Sequence, residues 1–219
     1  MMQTRADKMQ MLKNVILDKA VEVFSQKGYK ATTMQDIADA LHMTRTPLNY
    51  HFKNKKVLYE EVVRRYLRER RADYERIDRE SEGFADMIWM HLQRCNSVVK
   101  ESFLLDGLPE EDFKELVAYN AETDQYLWNM KKNFILRAIE SGELRPDLNV
   151  DALVDFLYVQ FYGLLRIARD LPHEATMKQI DCIADMLLNM DIWGPASEKN
   201  KRGQFSHEGI VLKNSNIAI

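Results

Sequence analysis

Residue types able to do chemistry gather at two places in this chain. The first is Arg45, Thr46, Asn49 and Tyr50, spaced so that a short helix would present all four on one side. A guanidinium, a hydroxyl, a carboxamide and a phenol make a hydrogen-bonding face rather than a catalytic one. The second is His91 and Cys95, four residues apart and so on one helix face, a spacing that can put two ligands on a metal. No second pair stands nearby, and both lie on the apolar stripe Phe84, Met87, Ile88, His91, Leu92, Cys95, Val99. That pattern favours core or pocket residues over ligands. There is no Gly-rich phosphate loop and no nucleophile–base motif. No metal, no cofactor and no enzymatic activity are expected.

The elements that must position these groups are helical. The 219 residues include only 8 Gly and 5 Pro, too few for a fold stitched by tight turns, and 46% are hydrophobic against 30% charged, which suits a packed globular chain. No run approaches the length of a membrane span. The polar start MMQTRADKMQ lacks the apolar core of a signal peptide, and two Cys build no disulfide scaffold, so a cytoplasmic protein is expected. Charge is uneven. Residues 1–56 hold ten Lys/Arg against five Asp/Glu, and the rest hold 21 against 29. A basic head on an acidic body points to a polyanion for the head.

Periodicity divides the head into three helices. One runs from about Lys8 to Lys27 on the stripe Leu12, Val15, Ile16, Ala20, Val23, Phe24 and stops at Gly28, suited to a left-handed cap. Thr33 opens a short helix to Leu41, with Asp36 three residues on. Thr44 caps a shorter one to His51-Phe52, with Pro47 in its first turn. This is the size and order of a helix-turn-helix behind a supporting helix. Ala38 provides the close crossing, His42-Met43 the turn, and Ile37, Leu41, Leu48 and Phe52 the inward face.

The stretch Ile16–Leu58, ILDKAVEVFSQKGYKATTMQDIADALHMTRTPLNYHFKNKKVL, resembles the DNA-binding domain of TetR-family transcriptional regulators. The matching features are Phe24 with Gly28-Tyr29, Thr32-Thr33, Ile37-Ala38, and His51-Phe52-Lys53-Asn54-Lys55 with Leu58. Ala138–Leu153 also resembles a helix–helix link of that family. The family has Gly where this chain has His42, which tolerates the left-handed region better than most side chains. It also commonly has Tyr where this chain has Asn49. The resemblance implies phosphate contacts from Thr33, Tyr50, His51 and Lys55. It leaves Arg45, Thr46, Pro47 and Asn49 facing base edges: Arg45 toward guanine, Asn49 toward adenine, Thr46 and Pro47 toward a thymine methyl.

Behind the head, a long fourth helix is expected from Lys55 to Arg79. Further helices follow over Phe84–Glu101, Glu110–Asn120, Thr123–Ser141, Val150–Asp170 and Glu174–Asp191. The chain is thus read as all-α, with about nine helices. Residues 1–56 are the DNA-binding domain, 57–194 an effector-binding and dimerisation domain, and 195–219 a tail with a possible extended piece at Ile210–Leu212. The last two long helices are expected to join a homodimer, which would match a palindromic operator. A site for a small, mainly apolar effector is expected beside Trp89, His91, Cys95, Phe103, Tyr126, Phe134 and Phe161. The functional expectation is a ligand-released repressor. The rival is an all-helical enzyme holding a cofactor or metal in its core.

Overall fold

The computed structural model describes residues 5–97, 104–105, 109–168 and 170–197. Its helices are α1 (Arg5–Ala31), α2 (Met34–Ala40), α3 (Arg45–His51), α4 (Lys55–Glu80), α5 (Phe84–Ser97), α6 (Lys114–Glu140), α7 (Val150–Ala168) and α8 (His173–Asn189). A 3₁₀ turn follows at Pro195–Ser197. The all-helical class and the helix-turn-helix order agree with the sequence. The main difference is α6, one helix where two were expected. Thr123 does not open a new helix there. Its hydroxyl donates back to the carbonyl of Tyr119 at 2.8 Å, a bond made inside a continuous helix.

The chain divides into two compact units. The described residues of Met1–Arg70 and Lys100–Thr123 form the first, and those of Arg71–Val99 and Asp124–Ile219 the second. The first is larger than the expected 1–56 because the apolar side of α4 is part of its core. Leu58, Tyr59, Val62, Val63 and Leu67 pack with Ile16, Phe24, Ile37, Leu48 and Phe52, joined by Phe113 and Leu116.

Two backbone positions shape the first unit. Gly28 interrupts α1 as expected, but at φ 76°, ψ 163° rather than in a left-handed helical cap. That region is open essentially to Gly alone, and one more turn, closed by Thr32, follows it. His42 sits at φ 53° in the turn between α2 and α3, the left-handed conformation foreseen for it. The turn is closed by Met43 N–H on the Ala38 carbonyl at 3.0 Å. A non-Gly residue there carries roughly 1 kcal/mol of strain, partly offset by the greater chain entropy of Gly. His42→Gly should therefore raise the melting temperature by about 2 °C; a thermal melt showing a decrease would contradict this account of the turn.

The second unit is built on Phe84, Ile88, Leu92, Ile135, Val154, Leu157, Ile180 and Leu187. The buried Glu143 carboxylate accepts the Phe84 N–H, at 2.8 and 2.9 Å to its two oxygens, and so caps α5. After α8 the chain returns along the α6–α7 link, with Gly194 N–H on the Glu143 carbonyl and Ala196 N–H on that of Gly142. A Cβ on Gly194 would lie 2.3 Å from the Gly142 oxygen, so only Gly permits this crossing. Ser197 is fully buried. The chain to that point thus belongs to the body, beyond the boundary expected at 194; the remainder of the expected tail, with Ile210–Leu212, lies outside the described residues.

The helices α7 and α8, expected to join a homodimer, turn most of their apolar residues into their own unit. Leu164 and Leu187 are almost fully buried in their own unit. The exposed apolar side chains of these helices include Val159 (62% exposed), Tyr162 (52%), Ile167 and Met186 (54%), with Tyr158 stacked on Tyr162.

Candidate functional site

A seven-residue helix is not stable alone, so α3 depends on what holds its inner side. Leu48 is fully buried and Phe52 nearly so, both in the core of the first unit. With those two inward, the helical period turns Arg45, Thr46 and Asn49 outward, and all three are exposed. Tyr50 is 70% exposed. Pro47 and His51 are half-buried, the imidazole packed edge-on to the Tyr50 ring. Six of the eight residues proposed from sequence for nucleic-acid contact thus share one short helix. Thr44 stands at its N-cap position with an extended backbone, but its hydroxyl makes no capping hydrogen bond. The sequence reading of Thr44 as a cap holds for the backbone alone.

Thr33 and Lys55 are more engaged than their sequence suggested. The Thr33 hydroxyl accepts the Asp36 N–H and donates to the Asp36 carboxylate at 2.8 Å, and the Thr33 N–H donates to the same oxygen at 2.7 Å. This is a full capping box. The Lys27 ammonium, hydrogen-bonded to Asp36 at 2.7 Å, is the main reason that carboxyl is held at about 2, with Thr33 assisting. Because the folded value lies below the ordinary 3.8, the network stabilises above pH 4 and is lost as pH falls through about 2. Wild type should melt above Asp36→Asn at pH 6, and the gap should close toward pH 2. A gap independent of pH would refute the assignment.

The Lys55 ammonium donates to the Tyr29 carbonyl at 2.8 Å and lies over the Tyr29 ring, 4.4 Å from its centroid. It thereby ties the start of α4 to the end of α1. The ammonium also donates to the Lys30 carbonyl at 3.4 Å, so of its three N–H donors one is left for an outside anion.

In the second unit, Trp89, His91, Cys95, Phe134 and Phe161 are brought together in one buried cluster, His91 included by its ring contacts. Tyr126 is not among them. Its hydroxyl donates to Glu75 at 2.8 Å and its ring lies under Arg71. That acceptor raises the phenol's pKa and the Arg71 hydrogen bond lowers that of Glu75. Phe103 lies outside the described residues. Burial holds His91 neutral, well below the usual imidazole value, with Lys131 and Arg94 adding to the effect. Burial likewise pushes the Cys95 thiol up to about 11, so it is a protonated thiol and not a reactive thiolate. Among the described residues no three His, Cys, Asp or Glu gather as a metal site, and no helix is long and apolar enough to cross a membrane.

A crevice of about 10 Å³, room for roughly one water, lies between Tyr74, Asp78, Met87, His91, Met130, Lys131 and Phe134. Sequence reasoning did not select Lys131, Tyr74 or Met130. The signal for Lys131 was present: it falls on the buried stripe Leu127, Lys131, Phe134, Ile135, Ala138, where a charge is out of place.

Residues 16–62 match the profile of the bacterial regulatory proteins, tetR family. The head of the chain is therefore similar to the DNA-binding segment of this family. The tetR-family match begins at the residue where the resemblance was drawn from sequence and extends four residues beyond Leu58. IcaR of Staphylococcus aureus (strain Newman), the HTH-type negative transcriptional regulator of the biofilm operon icaADBC, is 43% identical over 53 residues. That match covers 24% of this chain and only 28% of IcaR. The HTH-type transcriptional repressor KstR2 of Mycolicibacterium smegmatis is 28% identical over 153 residues, covering 65% of this chain and 72% of KstR2. The structure of the ketosteroid transcriptional regulator KstR2 of Mycobacterium tuberculosis superposes with a TM-score of 0.65 at 19% identity. It covers 83% of this chain and 94% of that one, so the likeness of fold extends beyond the matched head.

Proposed function

We propose that this chain is a cytoplasmic transcriptional repressor that binds a palindromic operator as a homodimer and is released by a small molecule held in its second unit. The observation that carries the reading is the outward face of α3. Arg45, Thr46, Asn49 and Tyr50 are exposed on a helix whose inner side is locked by Leu48 and Phe52, inside the segment that matches the tetR family. A fixed polar helix on a basic head is what major-groove reading requires. On this reading Arg45, Thr46, Pro47 and Asn49 meet base edges, while Thr33, Tyr50, His51 and Lys55 meet phosphates. Thr44, with its hydroxyl uncommitted to the cap, joins the second group.

A phosphate at Thr33 would have to share the hydroxyl now donated to Asp36. Two α3 helices of a dimer would read successive turns of the groove, which makes the operator palindromic. The rival reading as an enzyme has no support in the site: the His91 imidazole is packed against the Tyr74 and Phe161 rings and the Cys95 thiol is protonated. Selection from a randomised duplex library with the full chain tests the proposal. It should return a two-fold symmetric sequence with half-sites about one helical turn apart. Folded protein that enriches no sequence would overturn it.

A further inference from the structure

Lys131 is a buried cation with no matching carboxylate among the described residues of the second unit. The residue is 4% exposed. Its ammonium lies 5.0, 5.3 and 5.5 Å from the ring centroids of Tyr74, Phe161 and Tyr158, a three-sided aromatic box. Cation–π attraction offsets part of the cost of burying it, but a buried ammonium is ordinarily matched by a carboxylate. Among the described residues no carboxylate pairs with it. The acids nearby are committed elsewhere. Asp73 holds Arg94 at 3.0 Å, and Asp78, which also lines the crevice, holds Arg137. His91 lines the same crevice, and its neutral imidazole makes no hydrogen bond among the described residues. Lys131 and His91 therefore both line a void the size of one water, together with Tyr74, Asp78, Met87, Met130 and Phe134.

We infer that this crevice is an anion subsite, and that the effector is an organic acid whose carboxylate pairs with Lys131 and accepts from His91, carried on an apolar body. The inference rests on the reading of the second unit as an effector site. The void is large enough for a carboxylate's leading oxygen. The rest of the ligand gains room by displacing Met87 and Met130, unbranched side chains that adopt new rotamers at small cost. Phe134 and Phe161 supply the apolar walls. The neutral imidazole matters, since it donates one N–H to the anion without adding a second buried charge. Asp78 repels the acid little while Arg137 neutralises it.

The test uses the full chain and a panel of octanoate, decanoate, 4-phenylbutyrate and 1-naphthoate, each beside its primary amide. Binding is read by thermal shift and calorimetric titration. At least one acid should bind wild type more than about tenfold tighter than its amide, since the amide keeps the shape and loses the charge-assisted bond. In Lys131→Met, close in volume and free of the buried charge, that preference should vanish; in Lys131→Arg it should persist. Equal binding of acid and amide by wild type, failure of every acid to bind, or an unchanged preference in Lys131→Met would each overturn the inference. The wild-type comparison decides alone if a variant does not fold. Operator affinity is measured with and without the bound acid. An acid that shows the Lys131-dependent preference but leaves operator affinity unchanged would uphold the anion subsite and sink the effector reading instead.

Discussion

Val159→Glu combined with Tyr162→Glu should yield a folded monomer that binds operator at least about 100-fold more weakly than wild type. Both side chains lie on the outer face of α7, more than half exposed, with Tyr158 stacked on Tyr162 beside them and Met186 exposed on α8. A helix face of this kind, apolar and exposed among the described residues, fits the proposed two-fold contact. Two carboxylates placed there meet their symmetry copies, so repulsion is added to lost burial. Once dimerisation fails, each α3 must find its half-site unaided, and the bivalent gain of about 10² or more disappears. The control is Leu187→Glu, which puts a charge into the core of the unit and should unfold it, with a cost of several kcal/mol. Sedimentation separates the outcomes. A double variant that remains dimeric at micromolar concentration, with circular dichroism unchanged, would show the contact to lie elsewhere.

The second large effect separates reading from holding. Arg45→Ala should cost about 1–3 kcal/mol on the selected operator and relax the preference at one base pair per half-site, as for a lost bidentate contact to guanine. Lys55→Ala should weaken binding to every duplex alike and lower the salt slope by about one unit. The structure adds a second consequence for Lys55. Its ammonium bridges to the Tyr29 carbonyl and ring, so the alanine variant also loosens the junction of α1 and α4 and melts earlier than wild type. Arg45, exposed on α3, should leave the melting temperature unchanged. If Arg45→Ala instead weakened all sequences equally, α3 would be holding the backbone and not reading bases.

The head was legible because local signals agree with one another there. Thr33 and Asp36 write a capping box, Gly28 a break, and Leu48 with Phe52 an inner face, and each occurs as the spacing required. The body was less legible. Thr123 looked like a helix start because a hydroxyl can cap as readily as bond back to the preceding turn, and only packing decides between them. Leu164 and Leu187 looked available for a partner because periodicity shows that a face is apolar, not which neighbour covers it. Tyr126 was grouped with the pocket by aromatic type, whereas its hydroxyl and ring had a better match in Glu75 and Arg71 at the surface. Lys131 was missed because charged residues are read as solvated by default; its place on an apolar stripe was the contrary sign.

Recognition of a DNA sequence through α3 is tested by titrating the full chain against two labelled duplexes. One carries the selected operator, the other the same bases scrambled, each at two salt concentrations. The operator should be preferred by about 10³-fold or more at physiological salt. Both affinities should fall with salt, because the phosphate contacts are shared. Equal affinity for the two duplexes, with the protein folded and dimeric, would contradict recognition through α3.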